Sequence, residues 1–317
     1  MMAESCFGSA TREFLNALTK SSRATYMPGL VRFQNYLSIQ TLYPSVHTAD
    51  GFLQAVLDDG KLGLLEQKFI DRALMKGFVE FLLEKQLKPK TVRTYVGGVQ
   101  SLGTYHKIPI STAYAELPPA IESYEKHPWS IDKVGEFVKS MDNPMYRCLG
   151  VWYVQSGLSN WDLLHLTYGK VREQLDAGTV PVCLNLVRHK TRRFDVKFRT
   201  FIGDLGIRYF KDYIGAKTLA DTNLLFPISD DAVEGYFKRI AAKFLSDGFT
   251  ERNPCCPSSL RTAFRTFLAD AECPDSYVEY FMGHNLTADL KKKYTNKSDE
   301  SWRITYAKYE PVLTFKA

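Results

Sequence analysis

The chain has 317 residues, of which 45% are hydrophobic and 24% are charged, the proportions of an ordinary soluble protein. This length allows two domains, each with a core of its own. Lys and Arg number 41 against 35 Asp and Glu, and the net charge of +6 suits a polyanion partner without requiring one. No apolar run is long enough to cross a bilayer and residues 1–10 lack a signal-peptide pattern, so we expect an intracellular protein.

The cysteines and histidines do not form a metal-binding pattern. No two cysteines have C-x-x-C spacing, and His165 and His189 have no acidic or cysteine partner at ligand spacing. We therefore expect free thiols, no metal site and no disulfide framework. The cysteines are Cys6, Cys148, Cys183, Cys255, Cys256 and Cys273.

Residues 11–107 predict an all-helical first domain, because apolar residues recur at helical spacing and no strand pattern interrupts them. Four or five helices are expected. One should begin at a cap formed by Ser21 and Ser22, with Pro28 tolerated in its first turn. Two others should cover 69–83 and 89–105.

Hydroxyl and basic side chains lie at the start of two of these helices. Backbone amides and cations at a helix N-terminus together suit a phosphate group, so these residues are candidates for phosphate contact. The alternative is a helical bundle with a solvated polar surface, and for each residue taken alone this alternative is favoured. The candidates are Ser22, Arg23, Thr25, Lys88, Lys90, Thr91 and Arg93.

The segment 108–129 predicts a linker, because it contains four prolines and no sustained hydrophobic period. The first domain should therefore span 1–107 and the second 130–317. Helices of the second domain are expected at 130–141, 145–155, 161–166, 206–214 and 232–245.

Residues 179–202 predict a β-hairpin, since apolar residues alternate on both sides of a basic turn. A solvated turn needs one or two charges, whereas six Lys or Arg occur between Arg188 and Arg199 against one Asp. This excess favours contact with a polyanion.

The C-terminal third carries the residues most suited to chemistry. Arg261 and Arg265 are one turn apart on a predicted helix. A second short helix should stop at Gly283, which leaves His284 on the turn. Tyr294 follows three lysines, which would favour its anion and attract a phosphate. Arginine, histidine and tyrosine together indicate phosphoryl transfer, although each alone has a structural interpretation as an ion pair, a helix cap or a packing residue.

These segments together resemble the tyrosine recombinases of the phage-integrase superfamily, and the last third most resembles the archaeal-type branch. Ser-x-x-Thr-Tyr-x-x-x-Leu-x-x-Phe, from Ser22, and Pro-Lys-Thr-Val-x-x-Tyr, from Pro89, are similar to the core-binding domain of that family. Ser-Gly-Leu before Asp-Leu-Leu-x-Leu, and Met-Gly-His before a tyrosine, resemble its catalytic motifs. The resemblance implies a mainly α protein with a small β-hairpin (α+β), whose core-binding and catalytic domains form a C-shaped DNA clamp.

The resemblance also implies roles for individual residues. Tyr294 would attack a DNA phosphodiester to give a 3′-phosphotyrosyl link and a free 5′-hydroxyl, while Arg261 grips the phosphate. His284 would hydrogen-bond a non-bridging oxygen, and Lys190 would protonate the leaving oxygen. No metal and no nucleotide cofactor are implied. Lys170 and Lys197 are the alternative candidates for the role given to Lys190.

Two positions depart from the family pattern. Ser159 stands where the family has its first arginine, and Ser258 stands where it has a histidine. A serine hydroxyl brings no positive charge, and losing one preorganised donor costs on the order of a hundred to a thousand in rate. Arg265, Arg192 or Arg193 could replace the missing arginine.

Two hypotheses follow from the sequence. The first is a site-specific recombinase or integrase that acts as a homotetramer on two duplexes, and the second is a DNA-binding protein that kept the fold and lost the chemistry. Both predict an intracellular, DNA-associated protein that binds double-stranded DNA. The candidate DNA-binding residues in the second domain are Arg188, Arg192, Arg193 and Arg265.

Overall fold

The computed structural model describes residues 7–119, 127–188, 197–246, 248–249, 253–284, 286, 294 and 297–316. The chain divides into two compact units, Met1–Tyr124 and Glu125–Ala317. The predicted domain limits at 107 and 130 stay a prediction. None of the described helices is long and apolar enough to cross a membrane.

The described part of unit 1 is helical. Its helices are α1 (Ser9–Ala17), α2 (Lys20–Ile39), α3 (Ala49–Asp59), α4 (Ile70–Glu84) and α5 (Pro89–Tyr105). Phe33 on α2 is fully buried in their common core. Its ring centroid lies 5.0 Å from that of Phe52 on α3 and 4.9 Å from that of Phe78 on α4. These edge-on contacts tie the three helices together.

Helices α2 and α5 pack antiparallel at very close range. A Cβ added to Gly29 would lie 2.8 Å from the Cα of Tyr95, and one added to Gly98 would lie 3.5 Å from Tyr26. A later residue of α2 thus contacts an earlier residue of α5, so the two helices run in opposite directions. Their N-termini lie at opposite ends of the pair. The two predicted phosphate-contacting clusters are therefore separate.

The predicted start of α2 is wrong. The N-cap is Thr19, whose hydroxyl accepts a hydrogen bond from the amide of Ser22 at 3.2 Å. The helix therefore begins before the predicted cap, and Pro28 is an interior residue rather than a first-turn residue. Since proline has no N–H, α2 lacks the hydrogen bond that residue 28 would otherwise donate to the carbonyl of Ala24.

The predicted linker is packed at both ends. Ile108 and Ile110 are buried in the core of unit 1. Trp129 packs against the core of unit 2, and its indole N–H donates to the hydroxyl of Ser259 at 3.2 Å. The described ends of this segment therefore belong to the units that they adjoin.

Unit 2 is mainly helical with one small sheet. Its described helices are α6 (Ile131–Lys139), α7 (Pro144–Ser156), α8 (Asn160–Leu164), α9 (Arg172–Asp176), α10 (Asp204–Ile214), α11 (Asp230–Phe244), α12 (Pro257–Asp270), α13 (Asp275–Phe281) and α14 (Asp299–Ala307). Strands β1 (Val182–Val187) and β2 (Lys197–Ile202) are antiparallel, with Val182 opposite Ile202. The predicted fold class, mainly α with a small β-hairpin, is confirmed, and the five predicted helix boundaries agree to within about two residues.

Helix α7 is the central element of unit 2. Every residue from 148 to 156 is buried, as expected for a helix that is apolar on all sides. The indole N–H of Trp152 donates to the carbonyl of Gly206 at 2.9 Å. The side-chain oxygen of Gln155 accepts from the amides of Gly203, at 3.1 Å, and Gly206, at 3.0 Å. These bonds fix the junction between β2 and α10 against α7.

The C-terminal helix α14 packs on its own unit. Trp302 and Tyr306 are fully buried, and the hydroxyl of Tyr306 donates to the carbonyl of Gln155 at 2.8 Å. Arg199 on β2 pairs with Asp299 at the start of α14. The tail thus completes the core around α7 and β2.

Replacing Tyr306 tests this role. We expect Tyr306→Ala to lower the free energy of unfolding by about 3–5 kcal/mol, because it leaves a cavity beside α7. The matched control is Ile304→Ala on the same helix, a side chain that is 56% exposed, with an expected change within about 0.5 kcal/mol. Urea unfolding measures the free energy of unfolding of both variants. Equal losses of stability would contradict the packing of α14 against α7.

Candidate active site

Arg261 is the centre of a hydrogen-bonded group in unit 2. It lies on α12, which begins with Pro257 in its first turn and buries Leu260 and Phe264. One terminal nitrogen of the guanidinium, Nη1, donates to the carbonyl of Gly157. The other, Nη2, donates to the carbonyl of Met282 at 2.9 Å. The arginine therefore joins the ends of α7 and α13 to α12.

The turn after α7 depends on a glycine. Gly157 has a φ of 61°, in the left-handed region, and a Cβ added there would lie 2.4 Å from a ring carbon of Phe264. Both the backbone conformation and the close packing against α12 therefore require glycine. This arrangement directs the carbonyl of residue 157 to Arg261.

His284 follows the glycine that ends α13. Gly283 has a φ of 66°, as predicted for the stop of this helix. The Nδ1 atom of His284 lies 2.5 Å from a carboxylate oxygen of Glu279, and its Nε2 atom lies 2.9 Å from Nη2 of Arg261. Arginine only donates, so Nε2 is the acceptor and the proton of the neutral ring is on Nδ1.

Positive charge is in excess around this group. Burial lowers the pKa of Arg261 to about 10, and repulsion from Arg188 adds to the effect. Burial also lowers the pKa of His284, while its hydrogen bond to Glu279 and the charge of that carboxylate oppose the change. Arg265 forms an ion pair with the second oxygen of Glu279 at 3.0 Å. The carboxylates of Asp162 and Glu279 raise the pKa of Arg261, but the three guanidinium groups outnumber these two carboxylates, which suits the binding of an anion.

The fold of this chain is similar to several solved structures. A Tn1549 transposon integrase fragment in complex with transposon right-end DNA gives a TM-score of 0.59 at 15% identity, covering 95% of this chain and 99% of that one. The XerH recombinase bound to palindromic difH substrate gives 0.56 at 16% identity, with coverage of 91% and 80%. A lambda integrase dimer bound to a COC′ core site gives 0.50 at 14% identity, with coverage of 86% and 97%.

The chain has the tyrosine-recombinase fold. Comparison with models of protein families finds no match, and comparison with curated proteins finds none either. The likeness therefore concerns the fold, and the roles of individual residues depend on the geometry of this chain.

Ser159 and Ser258, which the sequence predicts to stand at an arginine and a histidine position of the family, have different surroundings. Ser159 is the N-cap of α8: its hydroxyl accepts from the amide of Asp162 at 3.2 Å and donates to the carboxylate of the same residue at 2.6 Å. Ser258 is exposed in the first turn of α12, with its hydroxyl 3.1 Å from the sulfur of Cys256. Ser159 therefore has a structural role, while Ser258 leaves its position open to solvent.

Tyr294 lies in an aromatic cluster. Only 4% of its surface is exposed, and its hydroxyl donates to that of Ser276 at 2.6 Å. Its ring centroid is 5.5 Å from that of Tyr277, 5.8 Å from that of Tyr280 and 5.4 Å from that of Trp302. The phenol is thus held between α13 and α14.

Several predicted site residues cannot be placed. Lys190, Arg192 and Arg193, and the three lysines before Tyr294, lie outside the described residues. Arg188, directly after β1, is described and donates to the carbonyl of Gly283 at 2.9 Å. Among the described residues, no group of three or more His, Cys, Asp or Glu is arranged to hold a metal ion.

The predicted phosphate-contacting residues of unit 1 occupy the first two turns of α2 and α5. Lys88 is the N-cap residue of α5 and is exposed. Arg93 donates to the carbonyl of Pro118 at 2.6 Å, and the hydroxyl of Thr25 donates to the carbonyl of Ser21 at 3.0 Å. None of the candidates is buried, and their contact with DNA stays a prediction. The others are Ser22, Arg23, Lys90 and Thr91.

Sequence reasoning missed Glu279. It precedes His284 by five residues, across the end of α13, a spacing that no helical pairing rule singles out. In the structure its carboxylate contacts both His284 and Arg265. Glu279 thereby sets the orientation and the tautomer of the imidazole.

Two serine variants separate the roles of the substituted positions. We expect Ser159→Ala to lower the free energy of unfolding by about 1 kcal/mol, because α8 loses its cap. Ser258→Ala is the matched control and should change it by less than about 0.5 kcal/mol, since that hydroxyl is exposed. Chemical denaturation measures both, and equal stability of the two variants would contradict the capping role.

Glu279→Gln tests the contact with the imidazole. The carboxylate raises the pKa of His284 against the effect of burial, so its loss should move that pKa further below 6.5. Titration of the imidazole followed by NMR measures the change, with Glu300→Gln on exposed α14 surface as the control. An unchanged or higher pKa in the Glu279 variant would contradict the assignment.

Proposed function

We propose that the chain is a site-specific DNA recombinase or integrase, most similar to the archaeal-type enzymes, that breaks and rejoins DNA through a 3′-phosphotyrosyl intermediate. The observation that carries the proposal is the direct hydrogen bond between Arg261 and His284 within a tyrosine-recombinase fold. These residues are 23 positions apart, with Arg261 on α12 and His284 on the turn after α13. Their meeting in a positively charged site suits the binding of a phosphodiester.

The state of Arg261 explains why a phosphate would bind there. Among the described residues, its hydrogen-bond partners are two neutral carbonyl oxygens and a neutral imidazole. A half-buried guanidinium forms stronger, charge-assisted hydrogen bonds with a phosphate oxygen than with a neutral acceptor. A scissile phosphate would therefore replace one of these contacts and relieve the effect of burial on the charged form.

The covalent step would use Tyr294 as the nucleophile. Its phenolic oxygen forms a bond to phosphorus as the bond from phosphorus to the 5′-oxygen breaks, and the phenol proton passes to water. Lys190 protonates the leaving 5′-oxygen. Arg261 and His284 bind the non-bridging oxygens, on which charge grows in the transition state. Rejoining reverses the step, so the energy of the broken bond stays in the phosphotyrosyl link and no cofactor is required.

The partner is double-stranded DNA, and the active assembly is a homotetramer on two duplexes. Support comes from the similar structures, which include DNA-bound integrases and a recombinase. Residues 1–107 would act as the core-binding domain and 130–317 as the catalytic domain. An intracellular, DNA-associated location follows from this function.

A second candidate function is DNA binding without chemistry. Two observations favour it: Ser159 is committed to capping α8, and the hydroxyl of Tyr294 is hydrogen-bonded to Ser276 within an aromatic cluster. In this alternative the fold would bind duplex DNA, while the phenol would never reach a phosphate. Only the first candidate function gives a covalent product between protein and DNA.

A trapping assay decides between them. The protein is incubated with negatively supercoiled plasmid that carries the DNA flanking its own gene, then denatured and examined for DNA-linked protein and relaxed topoisomers. We expect adducts with the wild type, none with Tyr294→Phe, and at least a hundredfold fewer with Arg261→Ala. Tyr114→Phe, which alters a 75% exposed tyrosine, is the control and should behave as the wild type. Tight DNA binding with no adduct from any variant would favour the second candidate.

A further inference from the structure

The turn after α13 binds two arginines on adjacent carbonyl groups. Arg261 donates to the carbonyl of Met282, and Arg188 donates to that of Gly283, each at 2.9 Å. The two arginines come from different elements, α12 and the end of β1, and are 73 positions apart in the sequence. Consecutive backbone oxygens thus hold two positive charges side by side.

The turn itself is fixed against the hairpin. A Cβ added to Gly283 would lie 2.8 Å from the ring of Phe198 on β2. Phe198 lies opposite Leu186 in the β1–β2 ladder, and Leu186 precedes Arg188 by two residues. The backbone that leads to Arg188 is therefore held by regular strand pairing next to the turn.

The two guanidinium groups are only partly neutralised: burial and Arg188 lower the pKa of Arg261, whereas the charges of Asp162 and Glu279 raise it. Among the described residues, no Asp or Glu lies within ion-pair distance of Arg188 or Arg261. The nearby carboxylate of Glu279 already contacts His284 and Arg265. Placing two like charges together in a partly buried site is unfavourable unless an anion joins them. A phosphodiester, with two non-bridging oxygens, has the charge and the number of acceptors that this pair requires.

We infer that Arg188 is the second phosphate-binding arginine of the site and donates to a non-bridging oxygen of the DNA phosphate that Arg261 also binds. The inference rests on the proposed function for the identity of the anion. It assigns to the first residue after β1 the positive charge that Ser159 does not supply. Arg265 is less suited, because it is 54% exposed and paired with Glu279.

Inorganic phosphate is the probe that separates this inference from catalysis. Phosphate is titrated into the full chain while NMR follows the side-chain Nε–H signals of the arginines. In the wild type, the signals of Arg188 and Arg261 should shift with one common midpoint. Arg188→Ala should weaken phosphate binding about tenfold or more, as expected when a hydrogen bond to a charged group is lost. Arg208→Ala, which removes an arginine that pairs with Asp204 on α10, is the matched control and should bind as the wild type.

Two further variants keep the test decisive. Arg188→Lys retains the charge and should bind phosphate more tightly than Arg188→Gln, which retains only a hydrogen-bond donor to Gly283. These variants decide the matter if the alanine variant does not fold. Equal affinity of the lysine, glutamine and wild-type proteins would overturn the inference, as would a loss in the Arg208 control that matches the loss in Arg188→Ala.

The plasmid trapping assay on the same variants distinguishes the two proposals. If phosphate binding depends on Arg188 but the wild type forms no adduct, the enzyme proposal fails and the assignment of Arg188 stands. If the wild type forms adducts and Arg188→Ala forms them at the same rate, the enzyme proposal stands and the assignment fails. Adduct formation reduced about a hundredfold in Arg188→Ala supports both.

Discussion

The hydrogen bonds of the Arg261 guanidinium are the interaction on which the site depends. They join the end of α7 and the turn after α13, 104 and 21 residues away in the chain, to the first turns of α12. A half-buried guanidinium whose N–H groups have no acceptor costs free energy. The two carbonyl groups must therefore lie where Arg261 can donate to them. The left-handed glycines at 157 and 283 are the backbone solution to that requirement. Helices α7, α12 and α13 all contribute to one hydrophobic core, which holds them together.

The same guanidinium sets the protonation state of its neighbour. Because Arg261 donates to Nε2 of His284, the imidazole is neutral and its proton faces Glu279. Burial and two nearby arginines disfavour the protonated ring, whereas the carboxylate favours it. An arriving phosphate would draw Arg261 away and present an acceptor to the ring. The site is therefore balanced so that anion binding and protonation of His284 favour each other.

Ser159, Arg188 and Tyr294 differ in how the fold uses them. Ser159 is the cap of a short helix, so its side chain contributes to stability and brings no charge. The positive charge near the turn comes instead from Arg188, on a strand end that is fixed by pairing with β2. Tyr294, between α13 and α14, stays close to the core that the C-terminal helix completes.

The amino-acid pattern was enough to predict the fold class, the two paired strands, most helix positions and the glycine that places His284 on a turn, because hydrophobic period and turn chemistry are local properties. The prediction misplaced the start of α2, since both Thr19 and Ser21 can cap a helix and the cap used is Thr19. Only the packed structure shows that Arg265 pairs with Glu279 and that Arg188 shares a turn with Arg261. Those contacts join residues from separate elements, and their distances depend on how the helices pack around α7, which no local pattern encodes.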